Sequence, residues 1–366
     1  MFLKKPKNSF YLNVKLPDQT QEIVIGSNLK NWIVEEISSR DYSRLIIFVD
    51  KNFANFYKDW ISEIKNSLSP SDIIIIEANE KSKSLEFLNS ALEKCFQAGI
   101  NRKSCIVAIG GGIVGDIAGF FASVYMRGID FIFVPTTLMA QADTIIYKVA
   151  ISYKLLKNVV GSFCSPVLTV CDTDFLQTLS KEEISLGLCE VIKHALIDSP
   201  HFLKYLENNL HSELIGWQKY QWSNIIYKSL MIKSKLVEKD PFDKNGFHKG
   251  LSYGHTFANA FEGLSQFKLR HGESVSLGMH ASALVSRELG VISVENFERQ
   301  KKLLQKVGLP IKLQKTINKK AISDLMQKDK ICIDCGLTIV MLERIGKFKV
   351  SKNIAPKIIE SVLSSL

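Results

Sequence analysis

The chain has 366 residues, of which 46% are hydrophobic and 23% charged, enough apolar material for a large core and two domains. No apolar run reaches the ~20 residues of a membrane span, and the N-terminus lacks a signal-peptide pattern, which predicts a cytoplasmic protein that binds no membrane. The formal charge of +10 is spread along the chain without a nucleic-acid-binding motif, so it favours small anionic ligands over nucleic acid.

The first half of the chain alternates short apolar runs with amphipathic helical patterns. The runs "RLIIFVD", "SDIIIIEA", "SCIVAIGGG" and "FIFVPTTL" are typical of buried strands. Between them, "FYKDWISEIKNSL", "SLEFLNSALEKCFQAGI" and "VGDIAGFFASVYM" have helical spacing. Alternation of this kind predicts a Rossmann-like parallel sheet with helices on its faces.

The pattern changes after "SPVLTVCD", beyond which long helical periodicities dominate. Examples are "KEEISLGLCEVIKHALI", "YQWSNIIYKSLMIKSKLVEK" and "ESVSLGMHASALVSRELG", and "LTIVMLERIGKFKV" is typical of a late hairpin. We therefore predict an α/β fold with two domains, an N-terminal parallel-sheet domain over 1–173 and a mainly α-helical domain over 174–366.

A glycine-rich turn, "AIGGGIVGD", follows a predicted strand and opens a helix. Gly110, Gly112 and Gly115 satisfy GxGxxG, which suits a pyrophosphate at a helix N-terminus, although a tight structural turn explains the same letters. Polar residues also follow four predicted strands, where parallel sheets bind ligands. Each of these residues taken singly is equally typical of a helix cap or turn. They are Asp50 and Asn52, Glu80 and Lys83, Asp116, and Thr136 with Thr137.

Two histidines, His255 and His271, stand beside glycines in "SYGHTFANAFEGLSQFKLRHGESV". A metal ion would need a third protein ligand. In "GLCEVIKHALI", Glu190, Lys193 and His194 share one helical face, so Glu190 is a candidate for that ligand. A pair between Glu190 and its helical neighbours is the alternative that spacing leaves open.

Seven cysteines are scattered in mostly apolar segments, which predicts reduced thiols. We interpret the single CxxC, Cys332 and Cys335, as two incidental thiols rather than a metal or redox site. The segment "DTIIYKVAISYKLLKNVVGSF" places Asp143 near Lys148, Lys157 and Asn158. That set suits an anionic substrate, and a solvated lysine-rich loop is the alternative.

These segments together resemble the 3-dehydroquinate synthase superfamily, also called the sugar phosphate cyclases. The resemblance runs in order through nearly the whole chain. It includes "VDKNF", "NEKSKSLE", "GGGIVGDIAGF", "VYMRGIDFIFVPTTLMAQAD", "KN", "DTDFLQTL", "GLCEVIKHALI", "GHTF" and "HGESVSLGM". It implies a dehydroquinate synthase-like fold and a phosphate-eliminating lyase that acts as a homodimer.

The resemblance also implies a role for individual residues. Glu190, His255 and His271 would hold Zn²⁺ or Co²⁺, and Arg127 would reach the phosphate of the substrate in the neighbouring subunit. The substrate pocket would use Asp143, Lys148, Asn158, Lys193 and Lys233. The NAD⁺ contacts would be Asp50, Asn52, Glu80, Lys83, Gly112, Ile113, Val114, Gly115, Asp116, Thr136, Thr137, Lys148, Lys157, Phe175 and Thr178, with Glu183 nearby.

The family chemistry implied has no net redox change. The cofactor oxidises a substrate hydroxyl, phosphate is eliminated, the hydride returns, and the opened product closes to a carbocycle by an intramolecular aldol reaction. A divalent metal would polarise the reacting oxygens, and lysines would stabilise developing oxyanions.

The sequence departs from the usual family pattern near the expected substrate. Instead of "DSSVGGKT" it has "DTIIYKVA", one residue shorter with Tyr147 in place of two glycines, so we expect the loop to run differently and to displace Lys148. In "HKGLSYGHTFANAFE", an arginine has become His248, an asparagine Ser252 and a second helix histidine Asn259. A late segment keeps Lys330 but has Leu337 where a basic residue is usual.

The lost arginine would have held the carboxylate of the heptulosonate substrate. A buried charge left without its partner costs ~2–5 kcal/mol, and neither His248 nor Lys249 offers a bidentate fork. We therefore predict a substrate without that carboxylate, such as sedoheptulose 7-phosphate or a hexose 6-phosphate. Asn259 is interpreted as a changed substrate contact that keeps hydrogen bonding without a charge.

Three alternatives remain open from the sequence. The first is 3-dehydroquinate synthase itself. The second is a metal-dependent alcohol or glycerol dehydrogenase, which shares the two-domain plan and would produce NADH. The third is an inactive paralogue with a binding role.

Overall fold

The computed structural model describes residues 5–68, 70–153, 156–211, 219–266, 268–313, 319–326 and 337–366. The strands are β1 Phe10–Lys15, β2 Thr20–Gly26, β3 Leu45–Asp50, β4 Ser71–Ile76, β5 Cys105–Gly110, β6 Asp130–Pro135, β7 Val149–Tyr153, β8 Leu156–Ser162, β9 Leu168–Asp172, β10 Ile339–Arg344 and β11 Lys347–Ser351. The helices are α1 Lys30–Ser38, α2 Lys51–Phe56, α3 Lys58–Ser67, α4 Leu85–Gln97, α5 Gly112–Val124, α6 Leu138–Ala142, α7 Lys181–Asp198, α8 Pro200–Asn209, α9 Lys219–Lys239, α10 His255–Leu264, α11 His271–Glu288, α12 Val294–Lys306, α13 Lys319–Met326 and α14 Pro356–Ser365.

The chain divides into two compact units. The first unit is Met1–Leu179 with Trp217–Tyr227, and the second is Ser180–Gly216 with Lys228–Leu366. A sheet-containing unit followed by a helical one confirms the predicted fold class. The boundary at residue 173 stays a prediction about the domains.

The first unit is built on a seven-stranded sheet of order β1-β2-β9-β6-β5-β3-β4. All neighbours pair in parallel except β1 and β2, which form an antiparallel edge hairpin. The apolar residues of strand β3 are consecutive because both of its faces pack into a core. Ile46 and Phe48 pack into the core on one face, while Ile47 and Val49 pack into the core on the other. Both faces are covered, as expected for a parallel sheet.

The direction of the chain across this sheet reverses between β3 and β5. From β3 the chain moves outward to β4, then returns to the other side of β3 with β5 and continues to β6. A reversal of this kind opens a crevice at the carboxyl ends of the two strands. Asp50 and the glycine turn after Gly110 therefore lie at the position where open α/β sheets bind ligands.

In the second unit, helices α10, α11, α13 and α14 pack around a core with the β10–β11 hairpin. Phe257, Phe261 and Leu277 are buried there, and so is Met341 of β10. The predicted hairpin in "LTIVMLERIGKFKV" is confirmed, with a turn between Arg344 and Lys347.

Three local features differ from the sequence expectations. Helix α5 ends at Val124 rather than continuing to Met126, because Met126 and Arg127 both adopt positive φ angles in a 3₁₀ turn. The segment after the Asp143–Lys148 loop, for which the sequence analysis left a solvated lysine-rich loop open as the alternative, forms the antiparallel hairpin β7–β8. The edge hairpin β1–β2 was not predicted, although "FYLNVK" alternates polar and apolar residues.

Within the described residues, no helix is long and apolar enough to cross a membrane. Cys95, Cys105, Cys171 and Cys189 are buried free thiols, and burial raises the pKa of each above its ordinary value. Cys332, Cys335 and Lys330 lie outside the described residues.

Candidate functional site

Helices α10 and α11 approach closely because glycines stand where they meet. A Cβ on Gly278 would lie 2.1 Å from the carbonyl oxygen of Gly254. Gly254 itself has φ +83° and caps the start of α10, a conformation that glycine adopts without strain. This packing places the first residues of the two helices, His255 and His271, 5.6 Å apart between ring centroids.

Glu190, His255 and His271 form a cluster within the second unit. One potential ligand atom of each lies within 4.8 Å of the others. Glu190 Oε1 is 4.0 Å from Nε2 of His255 and 3.5 Å from Nε2 of His271. One carboxylate and two imidazoles are a donor set that suits a catalytic zinc-type ion with an open position. The residues present therefore fit a divalent metal.

Glu190 also pairs with Lys193, so the structure contains both contacts that the sequence left open. The two side chains are 1% and 2% exposed, and Lys193 Nζ contacts Glu190 Oε2. Burial alone would raise the pKa of Glu190, but Lys193 and the two histidines outweigh it and hold that pKa well below its ordinary value. Glu190 is thus a carboxylate anion, the form that binds a metal.

The two histidines have different neighbours on their Nδ1 side. His271 Nδ1 lies 2.8 Å from Glu262 Oε1, whereas His255 Nδ1 lies 3.4 Å from the carbonyl oxygen of Tyr253. Burial lowers the pKa of His255, and Lys193 lowers it further, to about 4. For His271, burial also lowers the pKa, but hydrogen bonds to Glu190 and Glu262 raise it to about 9. The sequence analysis missed Glu262, although it lies two helical turns after His255.

One of the other predicted substrate residues of this unit, His248, belongs to a loop organised by Asp240. Asp240, at the end of α9, is 1% exposed and accepts hydrogen bonds from the backbone N–H groups of Lys244 (2.8 Å) and Asn245 (3.0 Å). His248 Nδ1 lies 3.3 Å from the carbonyl oxygen of Asp240. Ser252 is half-buried, as is Lys233 on α9, and Asn259 is exposed on α10.

The glycine turn of the first unit fits a nucleotide. Gly111 caps α5 and offers no side chain to the first N–H groups of this helix. A Cβ on Gly112 would meet nothing within 4 Å, whereas one on Gly110 would meet Val114 at 2.7 Å. The turn is therefore open on its outer side and tightly packed beneath it, as a phosphate-binding turn requires.

Lys83 joins three segments of the first unit. Its buried Nζ donates hydrogen bonds to Asp116 Oδ2 of α5 (2.7 Å) and to Asn158 Oδ1 of β8 (2.6 Å). Burial raises the pKa of Asp116, and Lys83 partly offsets that increase. Glu80 Oε1 accepts a hydrogen bond from Ser152 Oγ at 2.5 Å. The structure thus brings Lys83, Asp116 and Asn158 into direct contact, with Glu80 close enough to act on the pKa of Asp116.

Several predicted residues also have local structural partners. Asp50 and Thr137 cap α2 and α6, accepting backbone N–H groups of Phe53 and Ala140. Phe175 is fully buried among Phe53, Tyr57 and Trp60, which leaves only its main chain for a ligand. The remaining predicted residues lie as follows: Asn52 exposed on α2, Thr136 buried after β6, Ile113 half-buried, Val114 and Gly115 buried on α5, Thr178 exposed in a 3₁₀ turn, and Glu183 exposed on α7.

The shortened loop has one non-glycine residue in the left-handed conformation that glycine usually adopts. Tyr147 has φ +64° and is buried, with its ring 5.5 Å from that of Phe163. A non-glycine residue in this region costs ~1–2 kcal/mol, which aromatic packing offsets. Asp143 directly follows α6, Lys148 directly precedes β7, and Lys157 lies on β8.

The chain matches two family models and is similar to known proteins. Residues 73–186 match the family "3-dehydroquinate synthase N-terminal", and residues 187–331 match "3-dehydroquinate synthase C-terminal". The chain is 33% identical to 3-dehydroquinate synthase of Endomicrobium trichonymphae, over 96% of this chain and 97% of that protein.

Two solved structures are similar along the chain. One is 2-deoxy-scyllo-inosose synthase complexed with carbaglucose-6-phosphate, NAD⁺ and Co²⁺, with TM-score 0.89 and 24% identity over 97% of this chain and 100% of that one. The other is 2-epi-5-epi-valiolone synthase from Streptomyces hygroscopicus subsp. jinggangensis with NAD⁺ and Zn²⁺, with TM-score 0.85 and 20% identity over 96% and 98%. Both likenesses concern the fold.

The two family matches, with a parallel α/β unit and a helical unit that carries a carboxylate–histidine cluster, identify the protein as a lyase/cyclase enzyme. The chain belongs to the 3-dehydroquinate synthase family. The resemblance inferred from the ordered motifs is thereby confirmed.

Proposed function

We propose that the protein is an NAD⁺- and divalent-metal-dependent sugar phosphate cyclase whose substrate lacks the carboxylate of the dehydroquinate synthase substrate. The observation that carries the proposal is the state of His248, which replaces the family arginine. Its ring is turned toward the carbonyl oxygen of Asp240, 3.3 Å away, within the loop that Asp240 organises. An imidazole engaged with its own loop is a poor substitute for a bidentate guanidinium.

Glu190, His255 and His271 would hold the proposed Zn²⁺ or Co²⁺ ion, which when bound would act as a Lewis acid toward substrate oxygens. Both imidazoles present Nε2 to the carboxylate, and the low pKa of Glu190 keeps that ligand ionised. Lys193, held against Glu190 in the same buried environment, supplies a fixed positive charge beside the cluster. A fixed cation of this kind stabilises a developing oxyanion without reorganisation.

The first unit would hold NAD⁺, which when bound would supply reversible hydride transfer. The N-terminus of α5 would bind the pyrophosphate through backbone N–H groups at the open Gly112. Asp50, beside the turn, would contact a ribose hydroxyl with the carboxylate oxygen not used for capping. Lys83 would fix the positions of Asp116 and Asn158.

We also propose that the protein acts as a cytoplasmic homodimer in which Arg127 contacts the phosphate of the neighbouring subunit's substrate. Arg127 is exposed in a turn where Met126 and Arg127 both have positive φ. Strain of this kind persists where a residue is held for a purpose. Sedimentation of the full chain tests the dimer, and a monomer at micromolar concentration would contradict it.

Phosphate release with a panel of substrates tests the proposed function. The protein, loaded with NAD⁺ and Co²⁺, is expected to release phosphate from sedoheptulose 7-phosphate or glucose 6-phosphate. His248→Arg should raise kcat/KM for the heptulosonate 7-phosphate relative to the wild type, by ~30-fold or more if the arginine regains its charge pair. Lys249→Arg is the matched control and should produce no such gain. Turnover of the heptulosonate alone by the wild type would overturn the proposal.

The second candidate function is 3-dehydroquinate synthase. It is favoured by a specific observation, since the relative that matches 96% of this chain at 33% identity bears that name. Under this alternative, the heptulosonate would be the efficient substrate and His248→Arg would add little. Net NADH formation from an alcohol would instead indicate a dehydrogenase, and a metal- and NAD⁺-loaded protein inert toward the panel would indicate an inactive paralogue.

A further inference from the structure

We propose that Glu262 is a positioning residue of the metal centre, holding the His271 imidazole so that its Nε2 faces the metal position. The inference rests on the metal site of the proposed function. Glu262 is not one of the three proposed metal ligands. It lies on the side of the His271 ring that faces away from the metal position.

The contacts of His271 define the two sides of its ring. Nδ1 lies 2.8 Å from Glu262 Oε1, and Nε2 lies 3.5 Å from Glu190 Oε1. When Nδ1–H donates to the Glu262 carboxylate, the Nε2 lone pair points into the Glu190–His255–His271 cluster. A carboxylate hydrogen-bonded to the far nitrogen fixes the tautomer and ring orientation of a metal-binding histidine and increases its basicity.

Glu262 is placed for this role by the helix that also carries His255. The two residues are seven positions apart on α10, close to two turns, so they lie on one face. Glu262 is 2% exposed, although a carboxylate is rarely buried without a partner. Helix α10 thus supplies both a ligand and the group that orients the ligand beginning α11.

Among the described residues, Nδ1 of the other histidine faces a backbone carbonyl rather than a carboxylate. His255 Nδ1 lies 3.4 Å from the neutral carbonyl oxygen of Tyr253, a longer contact than the one to Glu262. A charged acceptor binds an N–H group about twice as strongly as a neutral one. The orientation of His271 should therefore depend on one side chain that can be replaced.

Direct metal-binding measurements on the full chain test the inference. Co²⁺ affinity is measured by competition with a chromophoric chelator, and the visible absorption of bound Co²⁺ reports the ligand geometry. Glu262→Leu, which removes the acceptor, should weaken Co²⁺ binding by ~10–100-fold and change the spectrum. Glu262→Gln keeps an oxygen that can accept the Nδ1–H bond, so it should restore the spectrum and much of the affinity.

A matched control separates orientation from loss of nearby charge. Glu273→Gln removes a carboxylate from the first turn of α11, where Glu273 accepts from the Arg270 backbone N–H at 2.9 Å and lies 3.7 Å from the Arg270 guanidinium. Its Co²⁺ affinity should stay within about threefold of the wild type. If Glu262→Leu does not fold, Glu262→Gln carries the comparison, with an intermediate affinity supporting the inference.

The outcomes distinguish this inference from the proposed function. Wild-type protein that binds Co²⁺, with Glu262 variants of equal affinity and unchanged spectra, would overturn the positioning role alone. Wild-type protein that binds neither Co²⁺ nor Zn²⁺ would overturn the proposed metal centre, and the positioning role with it.

Discussion

The pKa values of Glu190, His255 and His271 are set by their immediate neighbours as well as by burial. Glu190 and His271 are both displaced toward their charged forms by partners, whereas His255 is displaced toward its neutral form by burial and Lys193. Residue type and helical spacing suggested Glu190 as a ligand, but neither indicates which charge state a buried group adopts. The charge state depends on contacts between residues that are far apart in the chain, such as the contact between Glu190 and His271.

His280 allows the effect of a buried environment on the pKa of one residue to be tested. It is 7% exposed on α11, with its ring 5.5 Å from Phe297. Burial lowers its pKa to about 4, with Lys301 lowering it and Glu298 raising it. Because the unfolded chain binds this proton more tightly, stability is fully present above about pH 6.5 and falls between there and about pH 4. At about pH 5 the loss should be ~2 kcal/mol relative to pH 7.

Urea unfolding of wild type and His280→Leu at the two pH values measures this loss. Between pH 7 and pH 5, the free energy of unfolding of the variant should fall by ~2 kcal/mol less than that of the wild type. His201→Gln, at an exposed position on α8, is the control. Equal pH dependence in wild type and His280→Leu would contradict the assignment.

At the scale of elements, the distance between α10 and α11 determines the metal cluster. Gly278 faces the carbonyl oxygen of Gly254 at a separation that excludes any Cβ. The sequence analysis noted glycines beside both histidines without a reason for them. The structure assigns Gly254 to the close approach of α10 and α11, whereas Gly272 packs against α7, where a Cβ would lie 2.7 Å from the carbonyl oxygen of Leu186.

Gly278→Ala should separate these helices. Its Cβ would meet backbone atoms rather than a movable side chain, so we expect a destabilisation of at least ~2 kcal/mol and weaker Co²⁺ binding. Gly263→Ala on the exposed face of α10 is the matched control, since its Cβ would make only an ordinary contact at 3.7 Å with Leu325. That change should be neutral or stabilise by up to ~1 kcal/mol. Similar unfolding free energies for the two variants would refute the packing explanation.

The strands and helices were predictable to different degrees for a physical reason. Strands β3, β5 and β6 were predicted because strands buried on both faces have continuous apolar sequences. Strand β4 was predicted from its isoleucine run, although it is an edge strand on which Ile75 is 49% exposed. The β7–β8 hairpin was not predicted because "VAISYKLLKNVV" lacks the usual glycine signal of a hairpin turn. The early end of α5 depends on positive φ angles at Met126 and Arg127, which residue type disfavours.

At the scale of the whole molecule, the two compact units carry separate parts of the proposed machinery. The glycine turn and its polar strand ends belong to the first, and the Glu190–His255–His271 cluster belongs to the second. Metal binding should therefore stabilise the second unit directly. The effect of metal on the stability of the second unit can therefore be measured without knowing the substrate.

Adding Co²⁺ or Zn²⁺ to chelator-treated protein should raise the unfolding temperature and slow amide exchange in α7, α10 and α11. A ligand at 100 times its Kd adds ~2.7 kcal/mol to the free energy of unfolding. Mg²⁺, which prefers oxygen ligands, is the control and should have little effect. Exchange that slows uniformly in peptides of the first unit, with α10 and α11 unchanged, would contradict the proposed site.

The sequence by itself determined the family, the alternation of strands and helices in the first half, and the candidate ligands Glu190, His255 and His271. Those features depend on residue type and local order, which the letters contain. Only the tertiary structure decided that the two histidines reach the Glu190 carboxylate, that Glu262 lies behind His271, and that His248 is turned toward Asp240. The contacts of His271 with Glu190 and Glu262 join residues on three different helices, and their distances are set by how the helices pack.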